Sequence, residues 1–188
     1  MSLPHIIILN GIGSAGKTSL ARAFQNHVAT PFLHVQMDAF LDMLPPASEG
    51  RPDGLVFEQR EEAGHTVVHI RSGPTVALAM RAFRACIAAM AGQGTNLIVD
   101  DVIFGPEWRE YDRLLAGHHV TKIGVLCPLD ILEAREAVRP DRLVGLARGQ
   151  WNRIDHTAPY DLTLDTSTLT PEQAAAQIAR HLSLEPAP

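Results

Sequence analysis

Cysteine is nearly absent. Only Cys86 and Cys127 occur in 188 residues, which excludes a disulfide framework and leaves no zinc site on cysteine alone. Histidine does not fill the gap, because His65 and His69 lie in an extended, glycine-containing stretch and His118-His119 in an expected turn. Neither pair has a Cys or carboxylate at ligand spacing, so no histidine metal site is expected. Positive charge is also short. Sixteen Lys+Arg against twenty-one Asp+Glu leave a net charge of −5, which argues against a dedicated nucleic-acid binder. No apolar run approaches the ~18–20 residues of a membrane span. The first apolar run is too short and too soon interrupted for a signal peptide. Repeats and low-complexity tracts are missing as well. These absences lead us to expect a cytoplasmic protein with no membrane or nucleic-acid partner.

What remains is ordinary globular composition, 46% hydrophobic and 20% charged, at a length that fits one domain over residues 1–188. His5 to Asn10 (HIIILN) is a continuous apolar, β-branched run, as expected for a strand buried on both faces of a parallel sheet. Further strands are expected at Phe32 to Met37, Thr95 to Val99, Thr121 to Leu126 and Asp161 to Leu164. Helical patterns separate them, at Thr18 to Val28, Gly73 to Ala91, Trp108 to Leu115, Leu129 to Val138 and Pro171 to Leu182. Alternating strands and helices imply right-handed crossovers and a parallel sheet covered on both faces. Residues 45–72 break the rhythm and read as an insertion or small hairpin, with short extended pieces at Leu55 to Phe57 and Thr66 to Ile70. Glu185 to Pro188 reads as a frayed tail.

Lysine is the scarcest base: of the sixteen basic residues only Lys17 and Lys122 are lysines. Lys17 lies in Gly11-Ile12-Gly13-Ser14-Ala15-Gly16-Lys17-Thr18, a full G-x-x-x-x-G-K-[ST] between strand and helix. Such a loop wraps tightly, aims N–H groups inward and adds the positive end of a helix dipole, so it cradles phosphates. Lys17 would bridge the β- and γ-phosphates, and the Thr18 hydroxyl would ligate Mg²⁺. Asp100 and Asp101 end an apolar strand and point in different directions. One suits the Mg²⁺ shell and the other a substrate or the cap of the next segment; Asp100 is favoured for the metal.

Asp38 follows the second strand, at the strand ends where open sheets bind ligands. There it would act as general base on an acceptor hydroxyl, or cap a helix over residues 39–44. Phe40, Leu41, Met43, Leu44, Phe57, Val102 and Phe104 surround it with apolar side chains. Phe40, Phe57 and Phe104 are the expected pocket walls, and Leu41 and Leu44 the expected core. Arg135, Arg139 and Arg142 fall at helical spacing, but Pro140 interrupts the helix. The segment 135–150 therefore reads as helix, break, helix, a lid whose arginines close over a transferring phosphoryl group.

Together these residues resemble chloramphenicol phosphotransferase and its relatives, small P-loop kinases, from Ile6 to about Asp165. The resemblance is carried by Ile7 to Gly11 with Ser14 to Lys17, then Asp38 with Met43-Leu44-Pro45, Gly54 to Phe57 and Gly73-Pro74. It continues through Ile98 to Val102 with Phe104-Gly105, Arg135 to Arg139, Asp141-Arg142, Gly145, Ala147, Tyr160-Asp161 and Asp165-Thr166. It implies an α/β P-loop fold of the nucleoside-monophosphate or shikimate kinase type, with a five-stranded parallel sheet. It implies ATP and Mg²⁺, phosphorylation of a hydroxyl on a small-molecule acceptor such as chloramphenicol or another antibiotic, and homo-oligomers. It points to Asp38 as base and supports Arg139 and Arg142 as lid residues; beside it, Asp101 is expected on the substrate side and Arg135, with the loop, on ATP. Gly13 and Thr18 stand where the family has serines, and Pro140 where it has glycine. Residues 47–64 are the least alike. The alternatives are a metabolite kinase of the shikimate or gluconate type, or a non-catalytic ATP-binding protein.

Overall fold

In the computed structural model, residues 3–140 and 142–187 are described; Asp141, one of the residues carrying the family resemblance, lies outside them. The chain begins with β1 (His5–Asn10), α1 (Lys17–His27), β2 (Leu33–Gln36) and α2 (Met37–Leu41). Then come β3 (Leu55–Glu62), β4 (His65–Ser72), α3 (Pro74–Gly92), β5 (Leu97–Asp101) and α4 (Glu107–Leu114). The last elements are β6 (His119–Leu126), α5 (Leu129–Ala137), α6 (Leu146–Trp151), β7 (Leu162–Asp165) and α7 (Pro171–His181).

Five strands form one parallel sheet in the order β2-β5-β1-β6-β7. Successive side chains of a strand point to opposite faces, and both faces of β1 are apolar. Ile7 and Leu9 join the core with Leu20, Phe24 and Ile178 of α1 and α7; Ile6 and Ile8 join the other, with Phe83, Ile87 and Tyr111 of α3 and α4. That burial explains why HIIILN shows no polar alternation. The register sets Asp101 beside Asn10, and Asp100 beside Leu9 and Gln36. The carboxyl ends of β1, β2 and β5 thus meet along one edge, where the loop after β1 and both aspartates emerge.

Residues 55–72 form a complete antiparallel hairpin of two eight-residue strands, longer than the short pieces the sequence suggested. Its two-residue loop, Ala63-Gly64, has φ of 50° and 78°, the left-handed pair that matches the twist of a tight hairpin. The charged run Glu58 to Glu62 hid the strand, because β3 is largely solvent-facing and shows little apolar alternation. The second strand is also shorter than expected: Met37 already belongs to α2. Finally, α3 is long and apolar enough to cross a membrane by length and composition, with a mean hydropathy of 1.3, contrary to the expectation of no such segment. Here Val76, Phe83 and Ile87 of α3 are buried, and its Arg84 is ion-paired with Glu110.

Candidate active site

The loop between β1 and α1 borders a cavity of about 460 Å³. Gly16 is left-handed (φ 88°) and forms the N-cap of α1, a conformation that glycine adopts without steric cost. Gly13, Ser14, Gly16, Lys17 and Thr18 line the cavity, together with Asp38, Asp100, Arg135, Arg139 and Arg142. Gly11 and Ala15, expected on the same ligand, instead border a different cavity of about 480 Å³ behind the loop. Ala15 is buried in the core, so it shapes the loop from the rear.

Lys17 Nζ donates to the carbonyls of Gly11 (2.8 Å) and Ile12 (3.3 Å) and lies 3.6 Å from Asp100 Oδ1. The Thr18 hydroxyl donates to Asp100 Oδ2 at 2.7 Å. Burial pushes the Asp100 carboxyl up; the Lys17 charge, the His34 ring nitrogen 3.8 Å away and the hydrogen bond from Thr18 outweigh it and hold the group below its ordinary value. An ionised carboxylate beside a hydroxyl is a hard oxygen pair suited to Mg²⁺, which takes one or two carboxylates plus phosphate oxygens and water. Among the described residues no cluster of three or more His, Cys, Asp or Glu offers a self-sufficient metal cage. The donor set therefore fits a metal that arrives with phosphates, and the start of α1 with Lys17 fits those phosphates.

Asp101, next in sequence, behaves oppositely. Its Oδ2 accepts from Tyr111 Oη and its Oδ1 from Val102 N, both at 2.7 Å. Burial raises its carboxyl above the ordinary value, against the lowering effect of those hydrogen bonds. It borders a third cavity, of about 540 Å³, with Leu41, Phe57, Met80 and Phe104 among the apolar walls. Phe57 and Phe104 stand where the sequence placed them, and the Arg153 guanidinium lies 4.2 Å over the Phe104 ring. Phe40 does not line this cavity: it packs edge-on against Phe83, ring centroids 5.1 Å apart. Leu41, expected in the core, takes its place. The reason is helical phase, since α2 starts at Met37 and residues three or four apart share a face. Met37, Asp38 and Leu41 therefore face the cavity together.

Five residues border both the phosphate-loop cavity and this apolar one: Met37, Asp38, Val102, Arg142 and Gln150. Asp38 lies in the first turn of α2, one residue past the start, and the N-cap is Gln36. The helix-capping alternative is thereby replaced by a carboxylate at the junction, with its side chain 59% exposed and 3.6 Å from Arg142 Nη2. Arg135 is fastened to the loop instead. Its guanidinium donates to the Ser14 carbonyl (3.4 Å) and to Thr166 O (2.7 Å), and the Thr166 hydroxyl donates to Ala15 O (2.9 Å). Arg135 and Arg139 line only the phosphate-loop cavity, whereas Arg142 reaches both.

Three supporting groups escaped the sequence reading. Glu136, buried, accepts from the backbone N–H of Gly145 and Ala147 at 2.7 Å each, tying the start of α6 to the end of α5 across Pro140. Gln150 accepts from Gly13 N at 2.6 Å. Asn10, fully buried, accepts from Ile103 N (2.7 Å) and donates to Ile103 O (3.0 Å) and Tyr160 Oη (2.9 Å), fixing the loop that carries Val102 and Phe104. On its other side α6 presses on β4. A Cβ on Gly149 would lie 1.9 Å from Val68 O, and Val68 N donates to Gly145 O at 2.9 Å. Only glycine permits that approach.

Known proteins resemble this chain in sequence and in fold. Over 178 residues the chain is 37% identical to a Mycobacterium tuberculosis protein named "Putative O-phosphotransferase Rv2636", covering 92% of this chain and 79% of the relative. Its fold is similar to that of a sugar kinase from Janibacter sp. HTCC2649 (TM-score 0.69, 17% identity, 97% and 96% of the two chains). It is equally similar to the Mycobacterium tuberculosis APS kinase CysC, solved with AMPPNP and APS (TM-score 0.69, 16% identity, 97% and 99%). The fold is thus that of the P-loop kinases. Residues 4–183 match the chloramphenicol phosphotransferase-like protein family, and the chain belongs to it.

Proposed function

We propose that this protein transfers the γ-phosphoryl group of Mg·ATP to a hydroxyl of a small amphipathic molecule. The observation that carries this reading is the junction: Asp38 and Arg142 border both the phosphate-loop cavity and the apolar cavity. A phosphoryl donor on one side and a hydroxyl on the other would meet there. Loop amides and Lys17 hold the phosphates; Thr18 and Asp100 hold the metal, which neutralises phosphate charge when bound. Asp38 takes the hydroxyl proton as the acceptor oxygen bonds to phosphorus and the bond to the ADP oxygen breaks. Arg142 and Arg139 balance the negative charge on the moving group. Arg135, anchored to Ser14 O and Thr166, steadies the loop on its outer side. ATP as co-substrate is in keeping with a cytoplasmic enzyme.

Phe57, Phe104, Leu41 and Met80 favour an acceptor with an apolar body, and the family name makes chloramphenicol the first compound to try. A more polar acceptor of the sugar or gluconate type is the second reading. It is favoured by Arg81, Arg84, Glu107, Glu110 and Arg153 on the walls of the same cavity, a charge density not expected from the apolar residues around Asp38.

Purified protein incubated with Mg·ATP and either chloramphenicol, aromatic diols or polyols, followed by mass spectrometry, separates these readings. A phosphorylated chloramphenicol or diol that vanishes in Asp38→Asn supports the first. Product from polyols alone supports the second. ATP binding without product from any acceptor would contradict both and leave a nucleotide-binding protein.

A further inference from the structure

Of the three polar side chains at the junction, Gln150 is the one neither motif nor resemblance points to. It is 8% exposed, lies on α6, and borders both cavities. Its orientation is fixed by chemistry: the Gly13 amide is a donor, so the atom facing it at 2.6 Å is the carbonyl oxygen Oε1. The NH₂ group is therefore not the atom bonded to the loop backbone, and it belongs to a side chain that borders both cavities. The helix beneath it is held by Glu136 at its start and by β4 at Gly145 and Gly149. Gln150 is thus a side chain fixed at both ends: its backbone on a wedged helix, its amide oxygen on the phosphate loop.

We infer that Gln150 reads the transferring phosphoryl group, donating from Nε2 to one of its oxygens while Oε1 keeps the Gly13 amide in place. The inference rests on the phosphotransfer reading above for the ligand it names. Asp38 faces the acceptor oxygen and Arg142 supplies charge; Gln150 supplies a neutral, directional donor between them. A donor of this kind discriminates a nucleoside triphosphate from a diphosphate, because only the triphosphate reaches the junction. Hydrogen bonds to charged groups contribute about 1.5–3 kcal/mol, and about 1.4 kcal/mol is tenfold in affinity.

The test is calorimetric binding of Mg·AMPPNP and Mg·ADP to the wild type, Gln150→Glu and Gln150→Leu, with thermal melting to confirm folding. Gln150→Glu keeps an acceptor for Gly13 N–H but puts a negative oxygen where the donor was. The expected result is a ratio of Kd for AMPPNP to Kd for ADP raised about tenfold or more in Gln150→Glu and about fivefold or more in Gln150→Leu, while ADP affinity stays within about twofold. An unchanged ratio in both variants, or equal loss of both nucleotides, reduces Gln150 to loop support and overturns the inference. The assay needs neither acceptor nor turnover. A shifted ratio without phosphorylation of any acceptor would keep this inference and defeat phosphotransfer, and product formation with an unchanged ratio would do the reverse. A wild type that binds neither nucleotide overturns both.

Discussion

The two cavities are built by different means. The phosphate-loop side is largely local: eight consecutive residues, a helix N-terminus and a carboxylate on the adjacent strand, with Lys17 and Asp100 almost fully buried. The apolar cavity, proposed for the acceptor, is assembled from α2, the β3–β4 hairpin, α3, β5 and the loop after it, and α6. The adjacent aspartates show the contrast at atomic scale. Asp100 faces Lys17 and Thr18 and is held ionised, while Asp101 is enclosed with Tyr111 and pushed toward its neutral form. A site that recognises a common phosphate donor gains from preset charges and backbone amides. A site made from side chains scattered over several elements can change its ligand without changing the fold, which is why fold and motif carry reaction class further than substrate.

Arg142→Ala should break the contrast most severely, because this residue serves both sides. By the measure of arginines that stabilise phosphoryl transfer, turnover should fall about 10³–10⁵-fold, whereas a change below about tenfold would remove Arg142 from the phosphoryl group. Gly149→Ala tests the packing of α6 on the hairpin. Its Cβ would collide with Val68 O, so α6 and the hairpin must separate. Stability should drop about 1–3 kcal/mol in denaturant unfolding and acceptor KM should rise; because Gln150 is the next residue on α6 and holds Gly13 N, Mg·AMPPNP should weaken with it while Mg·ADP stays within about twofold, and unchanged stability would mean that the contact with Val68 is not tight.

Asp100→Asn sharpens the charge comparison at the smallest scale. Because the folded carboxyl sits below its ordinary value, its stabilisation is present above ~4, the unfolded value, and is lost as pH falls through the folded value. The variant should therefore be less stable than wild type by about 1–3 kcal/mol near neutrality, with the gap closing under acid. Asp101 has the opposite sign, its contribution present at low pH and lost as pH rises through its raised value. An Asp100→Asn deficit that persists unchanged to acid pH would show that its charge is not the source.

Sequence legibility followed the same division. The loop, Lys17, Thr18 and Asp100 could be read because their chemistry lies in contiguous residues with a strand before and a helix after. The parallel sheet was legible from apolar runs such as HIIILN. Gln150 was not, since its partner Gly13 lies 137 residues away, and the buried caps made by Glu136 and Asn10 leave no local pattern either. Phe40 and Leu41 exchanged expected roles because a strand that ends at Gln36, one residue early, turns Met37 into the first residue of a helix and resets every side-chain direction after it. Composition around Asp38 showed that a pocket wall was present; only the helical phase shows which residues form it.

The most direct test of the separation between donor and acceptor sides is made on one preparation of Asp38→Asn, by titrating Mg·AMPPNP and then assaying phosphorylation of the best acceptor found for wild type. The expected result is a Kd within about twofold of wild type with turnover lowered about 10²–10⁴-fold. Full turnover, or nucleotide affinity lost together with activity, would contradict the assignment of Asp38 as the base that works from the acceptor side.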